Sequence, residues 1–458
     1  MFRERKISSP KRFEEKVVDF DIKKLHGERL FSVSDTFGGR DEDDDSASFE
    51  NEAVQYWKIF FDFSFYTLLT PFRFSWDKTT GLYKMKRSAL QIFLQWALYS
   101  CCTVYFLLRV QKMSEMDPIE NPSLYFQVAY YFFDTTFLVA LFLSFGRQAQ
   151  KVMGVFRDLQ TNNQKFYRDY RNAAKTRRIS ATICMGCLGT LVLQILETFK
   201  DQDWSWTGFW GYWMDDAAWA FGAKPLTDIC PICFGVLAIT GSLLEKLFNA
   251  FSDVLFTMTV LMWSNMVNSF YDAMQQTEAA GGATVEPVDV LDHYAWLKLI
   301  TKRMNFAMSL INGAFIAGNL PFYATNVFEV FGDANIFMRL RYMFYCSYWY
   351  PSLFIAAAAN AKFEHVKAWI CKEENYSRVP DHKLRVFLHE ISYHTVGISS
   401  FGIITVTWHS VGSIISIIMT YALMKSQLNS VVPAEGDSTM NDTSIILVQN
   451  YTARSLLW

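Results

Sequence analysis

Long apolar runs alternate with short charged blocks through most of the chain. A helix rising 1.5 Å per residue needs about 20 apolar residues to cross a hydrocarbon core about 30 Å thick. On that measure the pattern predicts seven spans, at residues 88–110, 122–145, 180–199, 229–270, 305–330, 340–361 and 401–428. The fourth is about twice a normal span. Neither Gly nor Pro interrupts it between 243 and 253, and Ser242, Lys246, Asn249 and Asp253 fall at i, i+4, i+7 and i+11. That spacing keeps them on one helical face. One long helix projecting from the membrane is therefore expected, with two separate spans as the alternative. Ahead of the first span, FDFSFYTLLTPFRFSW (61–76) carries Pro71 and charges, and reads as an interfacial or re-entrant piece.

The last run, FGIITVTWHSVGSIISIIMTYALMKSQL, differs from the others. Ser413, Ser416, Thr420 and Gln427 lie at i, i+3, i+7 and i+14, with Met424 at i+11, so one face is polar while the rest is mostly Ile and Leu. A polar stripe on a membrane helix should turn toward protein or water, and here it is expected to line a pore. About 28 residues make about 42 Å of straight helix, more than a bilayer core. Trp408-His409-Ser410-Val411-Gly412 is the natural break. It would leave an inner-side packing helix before it and the striped helix, 412–427, after it.

Composition sharpens this picture. The chain is 51% hydrophobic, 17% aromatic and 19% charged, against about 25% charged in soluble domains. The expected fold class is all-α: a polytopic membrane protein with seven transmembrane helices. Residues 1–55 read as a disordered cytosolic tail containing the acidic run 41–45, residues 56–430 as the seven-helix domain, and residues 431–458 as an extracellular tail. The opening MFRERKISSPKRFEEK holds no apolar core of a secretory signal. The loop between spans two and three carries Arg147, Lys151, Arg157, Lys165, Arg168, Arg171, Lys175, Arg177 and Arg178. The loop between six and seven carries Lys362, Lys367, Lys372, Arg378, Lys383 and Arg385, whereas Asp201, Asp203, Asp215 and Asp216 lie between three and four. Basic loops stay inside, which places the N-terminus in the cytosol and the C-terminus outside. Two glycosylation acceptors, Asn441 and Asn450, fall in the outer tail, and a third match at Asn375 falls inside, where it should be unused. Basic residues flank spans and form no isolated patch, so nucleic acid is not an expected partner.

No catalytic constellation emerges. His389-Glu-Ile-Ser-Tyr-His394 has one residue too many to share a helical face as the zinc-protease motif does. Asn121-Pro-Ser-Leu-Tyr125 opens the second span, where the similar pattern of G-protein-coupled receptors has no counterpart. Cys184 and Cys187 lie inside span three, and Cys230-Pro-Ile-Cys233 reads either as an extracellular disulfide or as small apolar filler. No enzyme, metal site or cofactor is expected. Polar and aromatic groups do gather in the outer half of the bundle: Tyr130, Tyr131 and Asp134 in span two, Gln194 and Glu197 in span three, Asn319, Tyr323 and Asn326 in span five, and Tyr345, Tyr348, Trp349 and Tyr350 in span six. Such a set suits a small organic ligand through stacking and directed hydrogen bonds. The alternative is an interfacial aromatic belt with ordinary interhelical hydrogen bonds.

Thr420-Tyr421, five residues and then Gln427 resembles the C-terminal signature of the insect gustatory receptor family, Thr-Tyr, five mostly apolar residues and Gln-Phe. Phe401-Gly402 after a basic loop, Thr70-Pro71-Phe72-Arg73 ahead of span one, and 247–271 as a fourth span extend the likeness. Leu428 stands where the family has phenylalanine, and Lys425-Ser426 where it has apolar residues. The resemblance implies a divergent chemosensory receptor of the plasma membrane: a ligand-gated, non-selective channel for monovalent and divalent cations, built as a homo- or hetero-tetramer with related receptors in membrane lipid. It would bind a small-molecule tastant in the outer half of each subunit. A metabotropic seven-helix receptor, with a lumenal N-terminus, and a small-solute transporter, with paired internal repeats, are the rival readings.

Overall fold

The computed structural model describes residues 52–77, 82–115, 149–159, 173–221, 231–279, 287–313, 315–316, 319–320, 323, 335–372, 377–393, 396–400 and 402–431. In chain order the elements are α1 (Glu52–Tyr66), β1 (Phe72–Asp77), β2 (Leu82–Arg87), α2 (Ala89–Ser114), α3 (Ala173–Asp201) and α4 (Trp206–Phe221). They continue with α5 (Pro231–Ala279), α6 (Pro287–Ala307), α7 (Ser309–Gly313), α8 (Ile336–Ile370), α9 (Asp381–Tyr393), β3 (Ser399–Ser400), β4 (Ile404–Thr405) and α10 (Trp408–Val431). A further helical stretch covers 149–159.

The 229–270 run is one helix, the 49-residue α5, as its uninterrupted pattern predicts. It is the centre of the packing, with α1, α2, α3, α4 and α8 all against it. Phe251, Val254, Phe256, Val260, Trp263, Val267 and Phe270 point in different directions around the helix, and all are fully buried. A helix apolar on every side must be surrounded, and α5 is over 250–260. Among the described residues, α2, α3 and α5 are long and apolar enough to cross a membrane, while Trp408–Met424 is a shorter apolar stretch. The mostly helical chain thus has the make-up of a multi-pass membrane protein.

Two buried indoles anchor the bundle around α5 in the same way. Trp57 Nε1 donates to Thr259 Oγ1 (3.1 Å), whose hydroxyl donates to Leu255 O (2.8 Å). Trp263 Nε1 donates to Thr301 Oγ1 (3.0 Å), which donates to Leu297 O (2.7 Å). In both, the threonine bonds back to its own helix while accepting a proton that would otherwise be buried without a partner.

Other segments take forms that the apolar pattern did not specify. Part of the piece at 61–76 turns aromatic rings into protein. In the β1–β2 hairpin Phe72, Phe74, Tyr83 and Met85 share one face, and Phe72, Phe74 and Tyr83 are buried there. Phe74 stacks on Phe156 (4.3 Å) and Phe61 on Phe72 (5.3 Å). The Trp-rich loop between spans three and four holds a helix, α4, entered through a turn with Asp203 and Trp204 at φ 50° and 60°. The fifth span does not run unbroken from 305: α6 ends at Ala307 and α7 is a separate short helix. The first piece of the last span is a strand pair rather than a packing helix. Ser399–Ser400 pair with Ile404–Thr405, and Gly402 takes φ +71°, which costs glycine little. Asn305 gives Nδ2 to Gly397 O (2.7 Å) and accepts from Ser399 N (3.0 Å), and Asn312 Nδ2 donates to Ser399 O (2.9 Å). With its backbone groups held by two asparagines, the segment has partners that a helix would not offer it. The helix then starts at Trp408 through reciprocal capping: Ser410 N donates to Thr407 Oγ1 (3.2 Å) and Thr407 N to Ser410 Oγ (2.7 Å).

His293 on α6 lies between the rings of Phe270 (4.7 Å) and Trp296 (5.2 Å). Burial pulls its pKa down to about 3. The folded chain therefore holds it neutral, while the unfolded chain takes up a proton below about pH 6.5. Its contribution to stability is present above that pH and is lost as the pH falls toward 3. Thermal denaturation of His293→Phe in detergent should show a shallower loss of stability between pH 6.5 and 4.5 than the parent, and identical slopes would count against this role.

Candidate functional site

Two regions bear on function. The first is a buried polar and aromatic cluster where α3, α5, α8 and residues 315–323 meet. Asp253 on α5 accepts a hydrogen bond from Asn319 Nδ2 (2.6 Å). Trp349, fully buried, stacks on Tyr323 with ring centres 4.4 Å apart and donates Nε1 to Phe315 O (2.8 Å). Phe315 in turn stacks on Phe256 (3.8 Å). One turn along, the hydroxyls of Thr257 and Ser352 meet at 2.8 Å. Tyr345 is buried beside Thr190. Gln194, one turn further along α3, donates to Ser242 Oγ (3.0 Å).

Asn319, Tyr323, Tyr345 and Trp349 are thus brought into one neighbourhood, with Gln194 at its edge. Tyr130, Tyr131 and Asp134 lie outside the described residues, as does Asn326. The rings stack on one another, so a ligand entering here would replace contacts that the protein makes with itself. Asp253 is the member that spacing did not single out as a site, although it stood in the polar stripe of the fourth span. A carboxylate at mid-span is itself a functional signal.

At the end of this cluster, Arg341 Nη2 lies 3.2 and 3.3 Å from the two Glu197 oxygens, and both side chains are almost wholly buried. Asn335 Nδ2 reaches from the start of α8 to Asp201 Oδ1 (2.9 Å). Sequence reasoning missed Arg341. The arginines at the mouth of the sixth apolar run, Arg339 and Arg341, could have revealed it, because such charges need partners.

The second region is the exposed side of α10. Val411, Ile414, Ile418 and Ala422 are buried, at i, i+3, i+7 and i+11, and they form its packed face. At 100° per residue, Ser413, Ser416 and Thr420 lie on the opposite side of the helix, and all three are exposed. Ser413 Oγ donates back to His409 O (3.0 Å), which removes part of its polarity from the surface. The helix continues past Tyr421 and Gln427 to Val431, but the side chains from 425 to 430, Lys425 and Gln427 among them, lie outside the described residues.

Cys184 and Cys187 are buried free thiols, which agrees with packing. Cys233 is disulfide-bonded, and Cys230 lies outside the described residues, as do Asn375, Asn441 and Asn450.

Fold and site together define a multi-pass membrane protein with a long buried central helix and a final helix packed on one side only. Compared with protein-family models and with curated proteins, the chain matches none.

Proposed function

We propose that the chain is a subunit of a ligand-gated cation channel of the plasma membrane, a chemosensory receptor similar to insect gustatory receptors, in which the α10 helices of four subunits surround one ion path. The observation that carries this reading is the polarity of α10. One apolar face packs on its own subunit, and Ser413, Ser416 and Thr420 are left exposed on the opposite side, flanked by exposed Ile417, Met419, Leu423 and Met424. Hydroxyls facing hydrocarbon are unfavourable, whereas a ring of hydroxyls is suited to a hydrated ion. Gln427, two turns beyond Thr420 on the same side, would add a neutral amide ring.

The small-molecule tastant is assigned to the cluster around Asp253, Asn319, Tyr323, Tyr345 and Trp349. A ligand that binds this cluster better when its stacked rings part would favour the open arrangement by its difference in affinity for the two states. Seven spans, with the N-terminus inside, complete the proposal. Antibody access to an N-terminal tag on unpermeabilised cells separates it from a metabotropic receptor, which requires the tag outside.

The direct test is a current. In cells expressing the chain, Ser416→Leu with Thr420→Leu should reduce ligand-evoked cation current about tenfold or more at unchanged surface expression. Gln427→Ala should change conductance or selectivity. Currents unaltered by either variant would remove α10 from the ion path.

A further inference from the structure

The β1–β2 hairpin presents a second surface, independent of the pore. Residues facing away from its buried aromatic side are Arg73, Ser75 and Asp77 on β1 and Lys84 and Lys86 on β2. Arg73 and Lys86 stand directly opposite each other, an arrangement of like charges that is unfavourable unless a counter-charge is supplied. Asp77 pairs with Lys84, and Asp62 lies near Lys58 and Arg73. Among the described residues no carboxylate pairs with Lys86 or Arg87, and both are exposed. The Arg73 Nε is buried and has no hydrogen-bond partner among the described groups.

What lies next to this surface matters as much as its charge. Arg87 is followed by Ser88, the N-cap of α2, and α2 is one of the helices able to cross a membrane. Leu90 and Phe93, each 68% exposed, and Leu94 and Trp96, also exposed, cover the first two turns. Hydrocarbon-facing side chains therefore begin four residues after Lys86. In a bilayer this puts Lys84 and Lys86 at headgroup depth.

Two glutamines tie α2 to the end of α1, and Arg73 ties the hairpin to that same end. Gln91 Nε2 donates to Phe65 O (2.7 Å), Gln95 Nε2 to Leu69 O (2.8 Å), and Arg73 Nη1 to Tyr66 Oη (2.6 Å). The cations sit on a platform ordered before any partner arrives, which lowers the entropy lost on binding.

We propose that this face of the hairpin is a docking surface for the anionic headgroup of a membrane phospholipid, with Lys84 and Lys86 contacting phosphate while the acyl chains lie along Leu90, Phe93 and Leu94. A soluble acidic protein would match the charge but would gain nothing from the apolar turns beside it. The proposal rests on α2 crossing the membrane and not on the chain being a channel, so its failure would leave the ion path untouched.

The full chain, purified in detergent, is titrated with short-chain (dioctanoyl) phosphatidylinositol 4,5-bisphosphate, with dioctanoyl phosphatidylcholine and inorganic phosphate as comparisons. Saturable binding of the phosphoinositide alone is expected. Lys84→Gln with Lys86→Gln should weaken it about 10- to 30-fold, as loss of two surface cations implies, and Lys84→Arg with Lys86→Arg should retain it. Lys302→Gln, an exposed cation on α6, should leave binding unchanged. Both hairpin lysines are exposed, and a size-exclusion profile checks folding. Should the double variant not fold, Lys86→Gln alone is expected to weaken binding about fivefold. Equal binding of phosphatidylcholine, full competition by inorganic phosphate, or an equal loss with Lys302→Gln would each overturn the proposal.

Discussion

Glu197→Ala should lower the stability of the chain by about 3–5 kcal/mol, because it leaves the Arg341 guanidinium buried with no counter-charge. Arg341 is 2% exposed, and its Nε and Nη1 have no hydrogen-bond partner among the described groups. Glu197 is therefore its principal compensation, at 3.2 Å. The ion pair itself adds little net stability, since taking both charges out of water costs about what their attraction returns. Glu197→Leu combined with Arg341→Met should accordingly recover most of the loss. Heating in detergent followed by size exclusion measures both variants against the parent. A single variant within about 1 kcal/mol of the parent, or a double variant no better than the single, would mean that the pair is not the buried unit described.

Trp349→Ala is the second large effect, expected at about 3–5 kcal/mol for truncating a fully buried aromatic residue. The indole fills the space between Tyr323 and Tyr350, with ring centres 4.4 and 4.9 Å away, and satisfies Phe315 O. Trp349→Phe keeps a ring against Tyr323 but leaves that carbonyl without its donor, and should cost about 1–3 kcal/mol. Stability and ligand response need not fall together. If the cluster binds the tastant, Trp349→Phe should shift the concentration for half-maximal response about tenfold, a change that Trp263→Phe, buried elsewhere on Thr301, should not produce. Equal shifts in the two variants would reduce the cluster to a structural core.

Periodicity revealed the helices well where the cause is local. An unbroken apolar run without Gly or Pro from 243 to 253 predicts the continuity of α5. The Thr407-x-x-Ser410 spacing that starts α10 was also present to be read, because a cap is a short-range hydrogen-bond exchange. Hydrophobicity alone, however, predicted a helix across 401–407, where a strand pair stands. Isoleucine and valine suit either state, and here 404–406 pair with 398–400, a segment that Asn305 and Asn312 hold from distant parts of the chain. The cluster was legible as a list of polar and aromatic residues at one depth. That Tyr323 stacks on Trp349 and that Asn319 meets Asp253 depends on how three helices cross, which no single segment encodes.

By itself the sequence determined that several helices are long and apolar enough for a membrane, and that one face of the last carries hydroxyls. Both follow from composition repeated at the helical period, a property of the backbone that needs no neighbours. Tertiary structure alone decided that the middle of α5 is enclosed, that Arg341 pairs with Glu197, and that the hydroxyl face of α10 is turned away from its own subunit. Those outcomes depend on which surfaces are buried against which. Burial is a relation between segments far apart in the chain, and the stripe acquires its meaning only once Val411, Ile414, Ile418 and Ala422 have taken the other side.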